Sequence, residues 1–478
     1  MKTFSVYTKS LLIASALILA QGHAAPKTEE DGKVILFIAG EPSHGWNKHE
    51  FPAGCELLAE CLEQSGLALK TQVSRGWPTD SSVIRNADTI VLYSDGNEKH
   101  VALGKESILE EVYEKGSGIA VLHYALEPGN PDLNAFMERS IGGYFDVNWS
   151  VNPVWTLENP TLGNHEITAG VEPFNLEDEW YYHLRFQKNR SPITSLLATV
   201  PPESSLGEDG PRSGNPAVRE ALKNNQAQLL AWVKQDGQGR RGFGFTGGHF
   251  HYNWNNESVR KLVLNGIAWT AGLPLPQNGI DSTITPIVKY ETIEQAIALG
   301  DVEDVQRHIT IDPGILNRPG RGSYTPLHQA ILRKKSEIVS SLIRQGADPN
   351  ATTKSKQTAL HIAISRNDPE ASLAVIKAGA DLSLKDGNGW TPLHLAAAKN
   401  KRDLVRLLLE NGADIRILSD AGGTALHEAS VSGSKDLIEL LLDKGADPSV
   451  VSKTGKTALD HAIEFENEAA IELLRNAQ

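Results

Sequence analysis

Four histidines in the first 275 residues stand beside glycine or at the ends of apolar runs: His44, His123, His249 and His251. Asp178-Glu179 adds two adjacent carboxylates. Imidazoles bind divalent metal or move protons near neutral pH, and carboxylates serve as acid, base or metal ligand. His249, His123, Asp178 and Glu179 are therefore the candidate catalytic groups. His44, His249 and His251 are candidate ligands of a divalent metal such as zinc, although no HExxH or CxxC spacing names the ion and the cofactor stays open. His249 and His251 share a face if they lie on a strand. The competing reading for each histidine is a loop side chain that merely bonds to backbone.

Aromatic residues point the same way. Eight of the nine tryptophans precede residue 275. Trp232 and Trp269 sit in apolar stretches and read as core. Trp46, Trp149, Trp180 and Trp254 lie beside Gly, Asn and His, where an indole face can pack on the C–H face of a sugar while polar neighbours take its hydroxyls. His44, Trp46, Asp95, Trp180 and Trp254 are expected to bind substrate. Gly247 and Gly248 join them, because glycine lets backbone approach a ligand closely.

These residues need elements to place them. Short apolar runs read as strands at Val34–Ile38, Thr89–Tyr93, Gly118–Leu122, Gln228–Trp232 and Gly242–Phe245. Helical patterns span Pro52–Ser65, Leu103–Lys115 and Glu257–Thr270. Continuous apolar strands alternating with helices predict a mostly parallel sheet covered on both faces, with its ligand site at the strand carboxyl ends. The polar segments Ser43–Asn47, Ser94–Glu98, His123-Tyr124 and Thr246–His251 each follow one of those strands.

Ser43-His-Gly-Trp, Trp77-Pro-Thr-Asp, Asp178-Glu-Trp-Tyr181, Ser213-Gly-Asn-Pro-Ala217 and Gly247-Gly-His-Phe-His251 together resemble the ThuA-like family, linked to trehalose utilisation. The resemblance runs over 33–275. It implies a flavodoxin-like α/β sandwich of the class I glutamine-amidotransferase-like kind and a sugar-like ligand, and it adds Tyr181 to the substrate-binding set. It also places His123 near the amidotransferase nucleophile position. The only cysteines, Cys55 and Cys61, fall in an early helix. Without a thiolate, glutaminase chemistry is not available.

The rest of the chain is periodic. Thr325-Pro-Leu-His328, Thr358-Ala-Leu-His361, Thr391-Pro-Leu-His394, Thr424-Ala-Leu-His427 and Thr457-Ala-Leu-Asp460 recur every 33 residues, and Gly-Ala-Asp keeps the same step from Gly346 to Gly445. Each Thr can cap a helix, and Pro326 and Pro392 take the first helical position. This segment, 290–478, resembles ankyrin repeats: five regular units after a degenerate one at Thr292. Such an all-α solenoid implies a protein partner on its concave face. Its histidines are expected to bond to backbone in the neighbouring turn. Residues 276–289, with Pro and few charges, read as a linker.

A positive start at Lys2 and Lys9, an apolar run from Leu11 to Ala20 and small residues at Ala24-Ala25 read as an export signal over 1–25, followed by a disordered polar lead over 26–32. That predicts a periplasmic or secreted protein with no membrane span after cleavage. A net charge of −13 argues against nucleic acid as partner. Cys55 and Cys61, six apart on a helix, are too distant to bridge. The reading reached is an exported carbohydrate-related hydrolase or lyase, acting on a sugar or keto-sugar through histidine and carboxylate, with a protein-docking array. The alternative is a non-catalytic scaffold that binds sugar or protein; a third reading makes the front domain only a rigid support for the repeats.

Overall fold

The computed structural model describes residues 32–187 and 193–477. The expected leader over 1–25 lies outside them, as does the polar lead except for Gly32. Strands β1 (Lys33–Ala39), β2 (Leu69–Arg75), β3 (Thr89–Tyr93) and β4 (Gly118–Leu122) run parallel with Arg241–Phe245. The sheet order is β2-β1-β3-β4, then Arg241–Phe245, then the antiparallel strands Gln228–Gln235, Ile193–Thr199 and Thr161–Leu162. The front domain thus has the mostly parallel sheet expected, with an antiparallel flank.

Both faces are covered, which is why the inner strands are apolar throughout. Ile35, Phe37 and Ala39 of β1 enter one core with helices Phe51–Glu63 and Glu257–Thr270. Leu36 and Ile38 enter the other with helices Glu106–Glu114 and Pro131–Ser140. Cys55 and Cys61 are buried and unbridged. The chain runs outward from β1 to β2 and returns on the other side of β1 to form β3. That reversal leaves a crevice at the carboxyl ends of the central strands.

Residues 293–476 form paired helices around a separate core. The opening unit has lost the common phrase but kept its physics: Thr292 and Gln295 form a reciprocal capping box at Ile293–Leu299. Histidine plays the Gln295 part at Thr325, Thr358 and Thr424, and Asp460 plays it at Thr457. His361 Nδ1 accepts from Thr358 N and pairs with its hydroxyl, while His361 Nε2 donates to Trp390 O in the next turn at 3.0 Å. His394 and His427 repeat this across to Gly423 O and Lys456 O. Each such imidazole fastens two repeats together. No helix among the described residues is long and apolar enough to cross a membrane.

Candidate metal centre at the sheet edge

Three histidines and one glutamate converge at the carboxyl edge of the parallel strands. The loop after β1 brings His49, the turn after β4 brings His123, and the loop after Arg241–Phe245 brings His249. Glu179 arrives from outside the main sheet, at the end of Leu176–Glu179 in a ribbon with Val154–Leu157. Their inward atoms all lie within 4.8 Å of one another. His49 Nε2 is 3.2 Å from His123 Nε2 and 2.9 Å from His249 Nδ1. Glu179 Oε2 is 3.2 Å from His249 Nδ1 and 3.5 Å from His123 Nε2. Ligands at zinc–nitrogen distance from a tetrahedral ion stand roughly 3.3 Å apart, so these separations outline a tetrahedral ligand set.

The outer contacts decide which nitrogens carry protons. His123 Nδ1 lies 2.9 Å from Thr246 O, which can only accept, so the proton sits on Nδ1 and Nε2 is bare. His49 Nδ1 faces the Asp95 carboxylate at 3.1 Å and the Ser43 hydroxyl at 2.8 Å. Burial alone would raise the Asp95 pKa, but hydrogen bonds from His49 and Ser43 hold it below the usual carboxylate range. An ionised Asp95 takes the Nδ1 proton of His49 and leaves its Nε2 bare as well. Two bare nitrogens facing each other cannot form a hydrogen bond. A cation between them would satisfy both, and these outer partners are the kind that orient metal-bound imidazoles. Burial, and then the neighbouring imidazoles, push the His123 pKa well below its ordinary value; burial also lowers that of His49. Both rings therefore stay neutral, the form that binds metal.

The backbone is bent to make this arrangement. His44, His49 and His123 all adopt left-handed conformations, with φ of 68°, 49° and 52°. Such conformations cost a non-glycine residue about 1–3 kcal/mol and gather at functional sites. Phe51 stacks on His49 with centroids 5.0 Å apart, which fixes that ring. The Tyr181 hydroxyl lies 3.2 Å from Glu179 Oε2 and 3.4 Å from His123 Nε2. His44 is exposed, its ring 4.2 Å from that of His49, and with His49 and Asp95 it forms a second, overlapping group of metal-ligating atoms. Trp46 stands beside it, 56% exposed. Of the four groups Glu179 is the most exposed, its side chain 17% accessible against 7% for His249 and 0% for His123.

Several expected roles change. Asp178 does not face the cluster. Successive strand residues point to opposite sides, and Asp178 turns to accept from the backbone of Gly248 (2.7 Å), His249 (3.1 Å) and Glu179 (2.8 Å). Its role is to hold the His249 loop, not to exchange protons with substrate. Asp178→Ala is expected to lower folding stability by about 3–5 kcal/mol by orphaning buried donors, read as a reduced urea midpoint. An unchanged midpoint would return Asp178 to the catalytic set. Trp180 and Trp254 are fully buried and offer no face to a sugar. Gly247 is glycine because a Cβ would meet the Trp180 ring at 2.6 Å, and Gly248 because its φ is 110°. Packing and turn geometry, not ligand approach, require that pair. His251 lies outside the cluster; its N–H bonds to Asn47 O at 2.8 Å, and burial pulls its pKa down to about 4.

Sequence reasoning missed His49, which lies beyond the Ser43–Asn47 phrase and just before a helix. The nearest signal was its five-residue spacing from His44 in one loop. It also missed Glu127 and Arg212. Arg212, in the Pro/Gly-rich segment 207–214, forms a two-pronged pair with buried Glu127 beside Tyr124. A roomier cavity of about 440 Å³ lies elsewhere, lined by Trp149, Arg185, Glu220 and Gln228, and none of the metal-ligating groups falls there. Trp149 stacks on His183 at that cavity.

Residues 34–270 match the family model described as ThuA, trehalose utilisation. Overlapping matches to an ankyrin-repeat model cover 293–478. Among solved structures, the ankyrin repeat domain of Bcl-3, of the IkappaB protein family, is 27% identical, with a TM-score of 0.37 over 40% of this chain and 87% of that one. No curated protein matches.

Proposed function

We infer, for a chain that joins a ThuA domain to ankyrin repeats, that His49, His123 and His249 hold a divalent metal, with Glu179 at the open fourth corner, in a centre acting on a sugar or keto-sugar derivative. The observation that carries this is the pair of bare Nε2 atoms on His49 and His123, 3.2 Å apart, with their Nδ1 protons committed elsewhere. A sugar-derived substrate rests on the family description and on exposed Trp46, in the same loop as His44 and His49. A bound divalent cation would polarise a substrate oxygen.

The chain's own groups supply the remainder. The three imidazoles hold the ion, and Asp95 and Thr246 fix their orientation. Glu179 stands at the open side as general base, for proton abstraction beside a carbonyl or for activating water in hydrolysis. The Tyr181 hydroxyl donates to Glu179 and steadies it. His44, outside the buried set, can carry the proton to solvent. The ankyrin array supports a protein partner. The leader-like segment 1–25 supports export to the periplasm or beyond.

Elemental analysis of the purified chain should find close to one zinc or similar ion per molecule. Incubating it with keto-sugars in deuterated water should exchange the hydrogen next to the carbonyl if proton transfer is the reaction. Release of the glycosidic partner identifies hydrolysis instead. Stoichiometric metal with saturable sugar binding, no exchange and no cleavage would favour the scaffold alternative. Absence of metal after growth and dialysis with zinc would remove the centre.

A further inference from the structure

The segment between the domains is bolted to the histidine loops. Asn255, in the turn after His249, reads Ile287 in both directions: its amide donates to Ile287 O at 2.7 Å and accepts from Ile287 N at 2.8 Å. Asn47, two residues before His49, donates to both Val288 O and Lys289 O. The next two backbone amides, of Lys289 and Tyr290, both donate to the fully buried Asp304 carboxylate in the first repeat. Ile284 and Ile287 pack on the front core, whereas Tyr290 packs on the array core. The two site loops are also tied to each other, through His49 N to His249 O (3.0 Å) and His251 N to Asn47 O (2.8 Å). An unbroken set of hydrogen bonds therefore runs from the histidine cluster through Asn47 and Asn255 to residues 287–290 and on to Asp304.

We propose that residues 284–290 form a strap that holds the His49 and His249 loops in register, which makes Asn47, Asn255 and Asp304 positioning residues that couple the ankyrin array to the centre. The proposal rests on the metal reading of the cluster. Its physical content is geometric. A tetrahedral set tolerates displacement of about 0.5 Å. His49 holds a left-handed conformation that the loop alone does not favour, two residues from an Asn47 side chain that is itself buried. Releasing the strap frees the loop to relax and pulls His49 Nε2 away from its partners. By linkage, a protein docked on the array that shifts the first repeat would change metal affinity, and metal would change the affinity for that protein by the same factor.

The test uses the full chain, stripped with chelator and titrated with cobalt(II), with visible ligand-field bands reporting on the ion's surroundings. Asn47→Gly removes the amide yet suits the φ of 60° at that position. It is expected to bind cobalt about 10–100-fold more weakly, the range found when groups that orient a ligand are lost, with altered bands. Asp304→Asn, remote from the ion, should weaken binding at least several-fold with circular dichroism unchanged. Asn255→Ala substitutes for it if the array does not fold. Wild-type affinity and spectrum in folded Asn47→Gly, together with either remote variant, would overturn the strap while leaving the metal centre intact. No cobalt binding by the unaltered chain would sink both.

Discussion

His49→Ala abolishes zinc binding at the stoichiometric level while the protein remains folded: this is the largest effect expected at the site. His49 contributes the Nε2 closest to both other imidazoles, 3.2 Å from His123 and 2.9 Å from His249. Its loss removes one corner of the ligand set and leaves three. Asp95→Asn is the graded companion. It keeps the shape but loses the charged acceptor for His49 Nδ1, and about 10–100-fold in affinity should go with it. Binding to the native state also stabilises it, by about 4 kcal/mol at a thousandfold excess over Kd. Zinc should therefore raise the melting temperature of the unaltered protein and leave that of His49→Ala in place. A His49→Ala protein with undiminished zinc affinity would mean that the four atoms do not form one site.

The parts of this architecture that follow a period were legible in the sequence, and the parts that depend on which way one side chain turns were not. The 33-residue step and the apolar runs of β1, β3 and β4 announced both domains. Loop histidines after strands pointed to the correct sheet edge. Asp178 and Glu179, however, are neighbours on a strand; only coordinates tell which faces the crevice, because the strand's register against Val154–Leu157 sets it. Trp180 and Trp254 looked like loop aromatics because their neighbours are polar, yet those neighbours are polar in order to satisfy buried backbone, as Asp178 does. His49 escaped because it sits between a loop phrase and a helix start, where neither pattern draws attention to it. Residues 276–289 read only as a linker for a different reason. Their anchors are backbone groups read by Asn47 and Asn255, which composition does not reveal.

The ankyrin histidines carry the second large expectation, a steep loss of array stability on acidification. His328, His361, His394 and His427 are buried, and burial lowers all four pKa values, those of His328 and His394 to about 4. Above pH 6.5 neither the folded nor the unfolded chain protonates them, and they add no pH dependence. Between 6.5 and about 4 only the unfolded chain protonates His328 and His394, so stability falls as pH falls, by up to about 1.4 kcal/mol per pH unit for each of these two, and His361 and His427 act in the same direction. Below about 4 the slope from His328 and His394 levels off, after a loss of about 3 kcal/mol each. Geometry gives the cause in atoms. Nδ1 accepts from the Thr backbone N–H in three of the four repeats, at 3.1 Å for Thr325, 3.3 Å for Thr358 and 3.1 Å for Thr424. A proton there sets donor against donor and breaks the cap. The opening repeat contains its own control, since Gln295 makes the same reciprocal cap with Thr292 and does not titrate. Replacing His328 and His394 with Gln should therefore lower stability at pH 7.5, through the lost bond from His394 to Gly423 O, and flatten the decline toward pH 4.5. Urea midpoints followed by far-ultraviolet circular dichroism across that range decide it. Parallel declines in the unaltered and doubly substituted chains would show that acid acts elsewhere, and would separate His328 and His394 from the acid sensitivity of the array.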